Sequence, residues 1–457
     1  MSPHSYQNVV FSFFDLLRGR RNIERLKFLR ASQFWPLPKM RSWQLEKLNA
    51  LLLGAREHSA FHRGRLANVK LPLKDLEELQ TLPVLTKRDI QKNRDSILCG
   101  NVPASRLERA RTGGSTAEPT HFYHDKTGMD WNRGTVYRSQ EWSGTFLGER
   151  TVQMMGSHYD YNERQKAFMK FMLWLQRYKD MPVAFMNDDL FEQYVSEIQR
   201  YRPTSIWGYS SAIHNLACFV EKNHPDARFD FLRALITSSE TLFPYQREKI
   251  NRIFGAGKVY DHYGSREMYM ASECREHHGY HIHAETIILE VVRKDGTPAN
   301  PGEIGRILLT DLFNRAFPFI RYEIGDAGVM AEENEGCSCG VTLPKLARVE
   351  GRITDLLVLK DRILTSPNFT LLFTDYEAID AYQFVQKKID EVEVKIVRNS
   401  KFTPEVEAYL KSSLSHLMGS LTRFWLSYPD AIEIPKSGKR RYIISEVSET
   451  SHGAPGA

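Results

Sequence analysis

Apolar and polar positions along the chain change period several times, and each change marks an expected element. From Ser42 to His62, Leu45, Leu48, Leu52 and Ala55 recur at helical spacing, which predicts an amphipathic helix laid on a core. After the break at Pro83, TKRDI offers Thr86 as an N-cap with Asp89 three residues on, a reciprocal arrangement that starts a helix. The middle of the chain then alternates short apolar runs with helical patterns. SIWGYSS (205–211) leads into AIHNLACFVEKN, and RALITSSETLF leads into PYQREKINRIFG, each reading as a strand, a polar turn and a helix. KVYDHYGSRE repeats the strand and turn.

Past residue 285 the pattern becomes β-rich. TIILEVV, GRILLTDL and FIRYEIGDAGVM read as strands joined by Gly, Pro and Asp turns such as KDGTPANPGEIG, which predicts a β-rich subdomain. The charged segment RVEGRITD separates it from a last stretch with EVEVKIV as a strand and TPEVEAYLKSSLSHL as a helix, a small α/β domain. The expected fold class is α/β, with a large domain over 1–350 and a small one over 351–447. Residues 448–457 lack large apolar side chains and read as a disordered tail.

Composition narrows the partners. The 457 residues are 42% hydrophobic and 26% charged, enough apolar content for sizeable cores. A formal charge of +6, with basic and acidic residues interspersed, argues against a dedicated nucleic-acid binder. Five unevenly spaced cysteines do not make a disulfide framework and point to a reducing, cytoplasmic home. VVFSFFDLL (9–17) is interrupted by Asp15, is too short to span a bilayer and has no cleavage site after it, so no transmembrane segment is expected. With RGRRNIERLKFLR behind it, it reads as a helix docked on its own domain, an anionic membrane surface being the alternative. Oligomeric state is not legible.

Candidate chemistry lies in separated stretches. In TGGSTAEP, backbone donors and hydroxyls at Thr112, Gly113, Gly114, Ser115 and Thr116 suit a polyphosphate, because small residues leave the backbone accessible. The loop lacks the lysine followed by Ser or Thr of a P-loop NTPase. SSET (238–241), DHYGSRE (261–267) and RYEIGD (321–326) each end a strand-like run, and in an α/β sheet such loops converge on one crevice. A second cluster, CREHHGYHIH (274–283) with GCSCG (336–340), gathers thiols and imidazoles suited to a closed four-ligand zinc site.

In this order and spacing the chain resembles the adenylate-forming superfamily, specifically its phenylacetate-CoA ligase and CapK-like branch, over nearly its whole length. TGGSTAEP is similar to that family's TSGSTGxP loop, SSET to its S-x-E-x segment, YGSRE to YGxxE, RYEIGD to YRxGD, and GRITD to the GRxxD hinge. The resemblance implies an adenylation domain followed by a small mobile domain, turning about Thr354 and Asp355. It implies ATP and Mg²⁺ as cofactors, a small-molecule carboxylic acid as substrate, and CoA or an amine as acceptor. A catalytically silent nucleotide- and zinc-binding scaffold is the contrasting reading.

By the same resemblance Ser239, Glu240, Thr241, Tyr263, Gly264, Asp326 and Arg352 bind the nucleotide, and Glu267 holds magnesium. Lys439 of PKSGKRRYI, or Lys436, stabilises charge on the reacting phosphates. Cys274, His281, Cys337 and Cys339 are implied as zinc ligands, with His277, His278 and His283 as rivals. Tyr209, Ser210 and His158 are candidates for the acid pocket. Glu118, Arg266 and Thr354 depart from the common superfamily pattern, and LKDRILTSPNFTLLF (359–373) lacks the glycine-rich turn associated with CoA.

Overall fold

In a computed structural model of the chain, residues 7–111, 120–155, 170–183, 188–333, 335–352, 357–359, 363–364, 373, 378–433 and 442–447 are described. The N-terminal region is helical: α1 (Asn22–Ser32), α2 (Leu37–His58) and α3 (Lys87–Ile97). The helix expected from Ser42 starts earlier, after Pro36, and ends at Ser59, whose extended backbone breaks it and whose hydroxyl caps the short helix Ala60–Arg65. Leu48, Leu52 and Ala55 are buried as their spacing requires. Thr86 and Asp89 form the reciprocal cap that starts α3.

A hairpin of β1 (Leu107–Arg111) and β2 (His121–Asp125) precedes α4 (Lys126–Trp142). The chain then builds β3 (Thr151–Met154), β4 (Tyr178–Asp180), α5 (Asp188–Tyr201), β5 (Ser205–Gly208), α6 (Ser210–Asn223), β6 (Ala234–Ser238), α7 (Pro244–Phe254) and β7 (Val259–Gly264). These strands lie parallel in the order β4-β3-β5-β6-β7, and β6 is buried at every position. One face is covered by α5, α6 and α7 through Ile198, Leu216 and Ile250 packed on Ile206 and Leu235.

The β-rich region expected after residue 285 is the other half of the same sheet. From β7 the sheet continues through β8 (Tyr269–Ser272), β9 (Tyr280–Ile282), β10 (Ile287–Val292), β11 (Ile304–Asp311), β12 (Tyr322–Met330) and β13 (Lys345–Arg352). All these neighbours are antiparallel, in the order β7-β8-β9-β13-β12-β11-β10, giving one mixed eleven-stranded sheet. The segment RVEGR, unassigned from sequence, is the last stretch of β13; its charges sit on a strand whose pairing with β12 is supplied by residues far away in sequence.

Beyond β13 come the short pair β14 (Leu357–Val358) and β15 (Ile363–Leu364), then β16 (Ile379–Lys388), β17 (Glu391–Arg398), α8 (Pro404–Met418), β18 (Arg423–Ser427) and β19 (Ile443–Ser445). The last four strands form a sheet in the order β18-β17-β16-β19, and α8 packs Leu410, Leu414 and Met418 on Phe384, Val392 and Val394. EVEVKIV and TPEVEAYLKSSLSHL are therefore the strand and helix their patterns predict. The expected tail, 448–457, lies outside the described residues. Among the described residues no helix is long and apolar enough to cross a membrane.

Candidate functional site

Strands β7, β12 and β13 carry three of the candidate side chains, Tyr263, Asp326 and Arg352, into contact. The Tyr263 hydroxyl donates to Asp326 Oδ2 at 2.7 Å, and Asp326 Oδ1 lies 3.1 Å from Arg352 Nε. Asp326 and Arg352 are direct cross-strand partners, so register alone sets them side by side. Arg352 Nη1 also donates to the Ile324 carbonyl at 2.9 Å. Across the site, the Tyr322 hydroxyl donates to Glu267 Oε1 at 3.3 Å, and Glu267 is buried. Burial and then the adjacent Asp326 push the Tyr263 phenol well above its ordinary range; burial and Glu267 do the same to Tyr322. Both phenols keep their protons and can only support the carboxylates they face.

Two glycines make the crowding possible. A Cβ at Gly264 would lie 2.6 Å from the Tyr269 ring. Gly351 has φ +89°, and a Cβ there would sit 2.7 Å from Thr241 Oγ1, so the SSET turn reaches the end of β13. Ser239 adopts φ 69° in that turn. Glu240 turns toward α6 instead: its Oε2 accepts from the Ser211 backbone N–H at 2.9 Å, where a carboxylate satisfies a helix-start donor. Ser210 Oγ donates to the Glu240 carbonyl at 3.4 Å, and Tyr209 precedes the same helix.

Thr112, Gly113, Gly114, Ser115 and Thr116 lie outside the described residues, but both ends of their loop are defined. Arg111 pairs with His121, Arg266 Nη1 donates to the Arg111 carbonyl at 3.3 Å, and His124 Nε2 lies 2.9 Å from the Arg266 carbonyl. The loop therefore leaves and re-enters beside Glu267. Arg266, a departure from the common pattern, ties these segments together. Glu118, His158, Thr354, Asp355, Lys436 and Lys439 also fall outside the described residues.

One neighbour was missed from sequence. Lys87, half-buried in the first turn of α3, has its ammonium shifted down by burial and then by Arg352, against the opposing pull of Glu267 and Asp326. In sequence it reads only as the residue after a cap. Its place depends on Leu85, whose N–H donates to the Arg321 carbonyl while its own carbonyl accepts from Glu323, both at 2.9 Å. Arg321 of RYEIGD is spent on structure, donating to the Gln80 and Leu82 carbonyls at 2.7 Å.

The second candidate cluster stands on β9 and the turn before β13. Ligand atoms of Cys274, His281, Cys337 and Cys339 all lie within 4.8 Å of one another. Cys274 Sγ is 3.6 Å from Cys337 Sγ, and Cys339 Sγ is 3.3 Å from His281 Nε2. His281 Nδ1 lies 3.4 Å from the Leu343 carbonyl, which orients the ring with Nε2 toward the sulfurs. Burial holds His281 down near about 4, in the neutral form a metal needs, and pushes the Cys274 thiol up. Three converging sulfurs and an imidazole make a soft set of four donors, the number and kind that a closed zinc site uses. His277, His278 and His283 stand outside this group; His277 is held by Glu273 and the Gly257 carbonyl.

The arrangement has known counterparts. A solved structure of 2-hydroxyisobutyryl-CoA ligase in the postadenylation state, in complex with R3-HIB-AMP, superposes with a TM-score of 0.73 at 20% identity, covering 91% of this chain and 92% of that one. The fold is thus that of the adenylate-forming CoA ligases. Protein CapK of Staphylococcus aureus is 25% identical over 391 residues, 84% of this chain and 83% of that protein. The phenylacetate-coenzyme A ligase of Thermus thermophilus is 26% identical over 389 residues, 81% of this chain and 84% of that protein. Residues 357–446 match the family described as the CapK C-terminal domain. CapK and the phenylacetate-coenzyme A ligases are this chain's homologues.

Proposed function

We propose that this protein is an AMP-forming ligase that activates a carboxylic acid with ATP and passes the acyl group to CoA. The observation that carries the reading is the meeting of Tyr263, Asp326 and Arg352, with Glu267 held by Tyr322 of the same RYEIGD segment, in the fold of adenylate-forming ligases. In the first step a carboxylate oxygen attacks the α-phosphorus, the bond to the β-phosphate oxygen breaks, and pyrophosphate leaves. In the second the CoA sulfur attacks the acyl carbon, its proton is lost, and AMP leaves.

Positioning and charge stabilisation carry most of this chemistry. The Asp326 carboxylate suits the ribose diol with Arg352 beside it, and Tyr263 presents a ring to adenine. Glu267 is a hard oxygen ligand for Mg²⁺ shared with phosphate. Ser239, Thr241 and Gly264 line the nucleotide, the 112–116 loop takes the departing pyrophosphate, and Lys439 of the small domain stabilises charge on the α-phosphate. The reading takes residues 1–350 as the adenylation domain and 351–447 as the mobile one. Cys274, His281, Cys337 and Cys339 hold a structural zinc ion, the metal that tetrahedral Cys₃His sets favour. The second acceptor, an amine, attacks the same acyl carbon; it is supported by segment 359–373, which lacks the glycine-rich turn associated with CoA.

Pyrophosphate exchange into ATP, dependent on added acid, tests the first step. Lys439→Ala is expected to lower it about 100-fold or more. Exchange untouched by that substitution removes Lys439 from the chemistry, and no acid-dependent exchange leaves the scaffold reading. Adding CoA or amines to the adenylate distinguishes the acceptors.

A further inference from the structure

The helix-covered face of the parallel strands is apolar and filled, while the opposite face of β5, β6 and β7 carries Trp207, Ile236, Tyr260 and His262. His262 is 1% exposed, immediately precedes Tyr263 and is the strand partner of Ser238, which leads into SSET. Its ring centroid is 6.3 Å from that of Trp207, at 70°. Among the described residues, both His262 Nε2 and Trp207 Nε1 are buried without a hydrogen-bond partner. An unmade hydrogen bond at a buried N–H costs about 1–3 kcal/mol, so two neighbouring ones at the ligand-binding end of a sheet need an explanation.

A buried polar network stands behind His262. Arg138 is fully buried against Glu285 and, being donor-only, donates through Nη2 to His283 Nδ1 at 2.9 Å. His283 therefore carries its proton on Nε2, which faces the Ser139 and Ser272 hydroxyl oxygens at 3.2 Å. Ser139 donates to the Thr135 carbonyl at 3.0 Å. The Tyr269 phenol, raised far above its ordinary range by burial, keeps its proton and lies 2.5 Å from His262 Nδ1. With that phenol as the donor to Nδ1, the ring's own proton sits on Nε2. Burial holds His262 down near about 3, so the ring is neutral. Trp207 Nε1–H is a donor in every state.

We propose that the acid activated by this protein carries an uncharged oxygen acceptor on its acyl portion, a hydroxyl or oxo group, bound by His262 Nε2–H and Trp207 Nε1–H. The inference rests on the ligase reading above and specifies its substrate class. Two neutral donors match a neutral acceptor better than a second carboxylate, because the cation of this network, Arg138, is already paired with Glu285. Tyr269 is a positioning residue: it touches no substrate and sets the His262 tautomer. A site built to hydrogen-bond an oxygen discriminates strongly against the analogue lacking it, since its donors are then buried unmade.

Acid-dependent pyrophosphate release is measured with acids paired by skeleton, lactate with propionate and hydroxyphenylacetate with phenylacetate. The full-length protein is expected to prefer the oxygen-bearing member of at least one pair by about 100-fold in kcat/KM. His262→Phe and Trp207→Phe should each bring that ratio down at least tenfold by slowing the oxygen-bearing acid. Tyr269→Phe should lower the ratio while leaving the plain acid unchanged, which a merely structural role would not do. Where His262→Phe fails to fold, Trp207→Phe carries the same test. Equal use of both members, or a ratio unmoved by the folded variants, overturns the inference alone. Release with no acid of either series overturns the ligase reading and this inference with it.

Discussion

The Cys/His cluster and the Tyr263–Asp326–Arg352 site share one sheet, yet they are built on opposite plans. The cluster is closed: its four ligand groups meet among themselves, and the Leu343 carbonyl and the Val341 N–H, which donates to Cys339 Sγ at 3.4 Å, hold two of them in place. The second site is open: Arg352 is half exposed, and the loop that enters beside Glu267 comes from elsewhere in the chain. A closed donor set stores stability, whereas an open one leaves room for a ligand and for chemistry.

Breaking the closed site should have the largest effect. Cys337→Ser, or a strong chelator applied to the intact protein, is expected to cost about 4 kcal/mol or more, and to lower the melting midpoint by about 10 °C. Metal analysis of the purified protein should find about one zinc per chain. A midpoint unmoved by both treatments would show that these thiols hold nothing.

The open site should respond the other way. Asp326→Asn keeps the size of the side chain but removes its charge opposite Arg352, and adenylation kcat/KM should fall about 100-fold, equivalent to about 2.7 kcal/mol. Its melting midpoint should stay within about 2 °C of the parent. Activity within threefold of the parent would remove Asp326 from the nucleotide site.

The smallest effect sharpens the contrast, because it belongs to neither metal nor ligand. His62 is held near about 3 by burial, against 6.5 for the free group. As pH falls below 6.5 the unfolded chain takes up this proton first, so the stability present above 6.5 is lost, by about 1.4 kcal/mol per pH unit until the folded group titrates. With zinc in excess, the midpoint should still fall between pH 6.5 and 5, and His62→Gln should reduce the slope. A slope unchanged in His62→Gln would mean that this ring is not buried neutral.

Much of this was legible in local pattern. The Thr86 cap works within three residues, the strand-then-helix units at 205–223 and 234–254 follow from periodicity, and Cys-x-Cys at 337–339 brings two thiols together within one turn. Choosing among four histidines was not, because the choice depends on pairing: His281 sits on β9 opposite Lys345 and Ser272, whereas His277 lies in the preceding turn facing Glu273. Lys87 was missed for the same reason, its neighbours Glu267 and Asp326 being supplied by strands far along the chain.

Sequence alone determined the elements, the order of the motifs and the set of groups from which each site is drawn, since caps, turns and periodicity act over a few residues. Tertiary structure decided which groups meet, which histidine faces the sulfurs, and where Trp207 and His262 hold donors without partners. Those outcomes depend on strand register and on burial, which are set by contacts between residues distant in the chain.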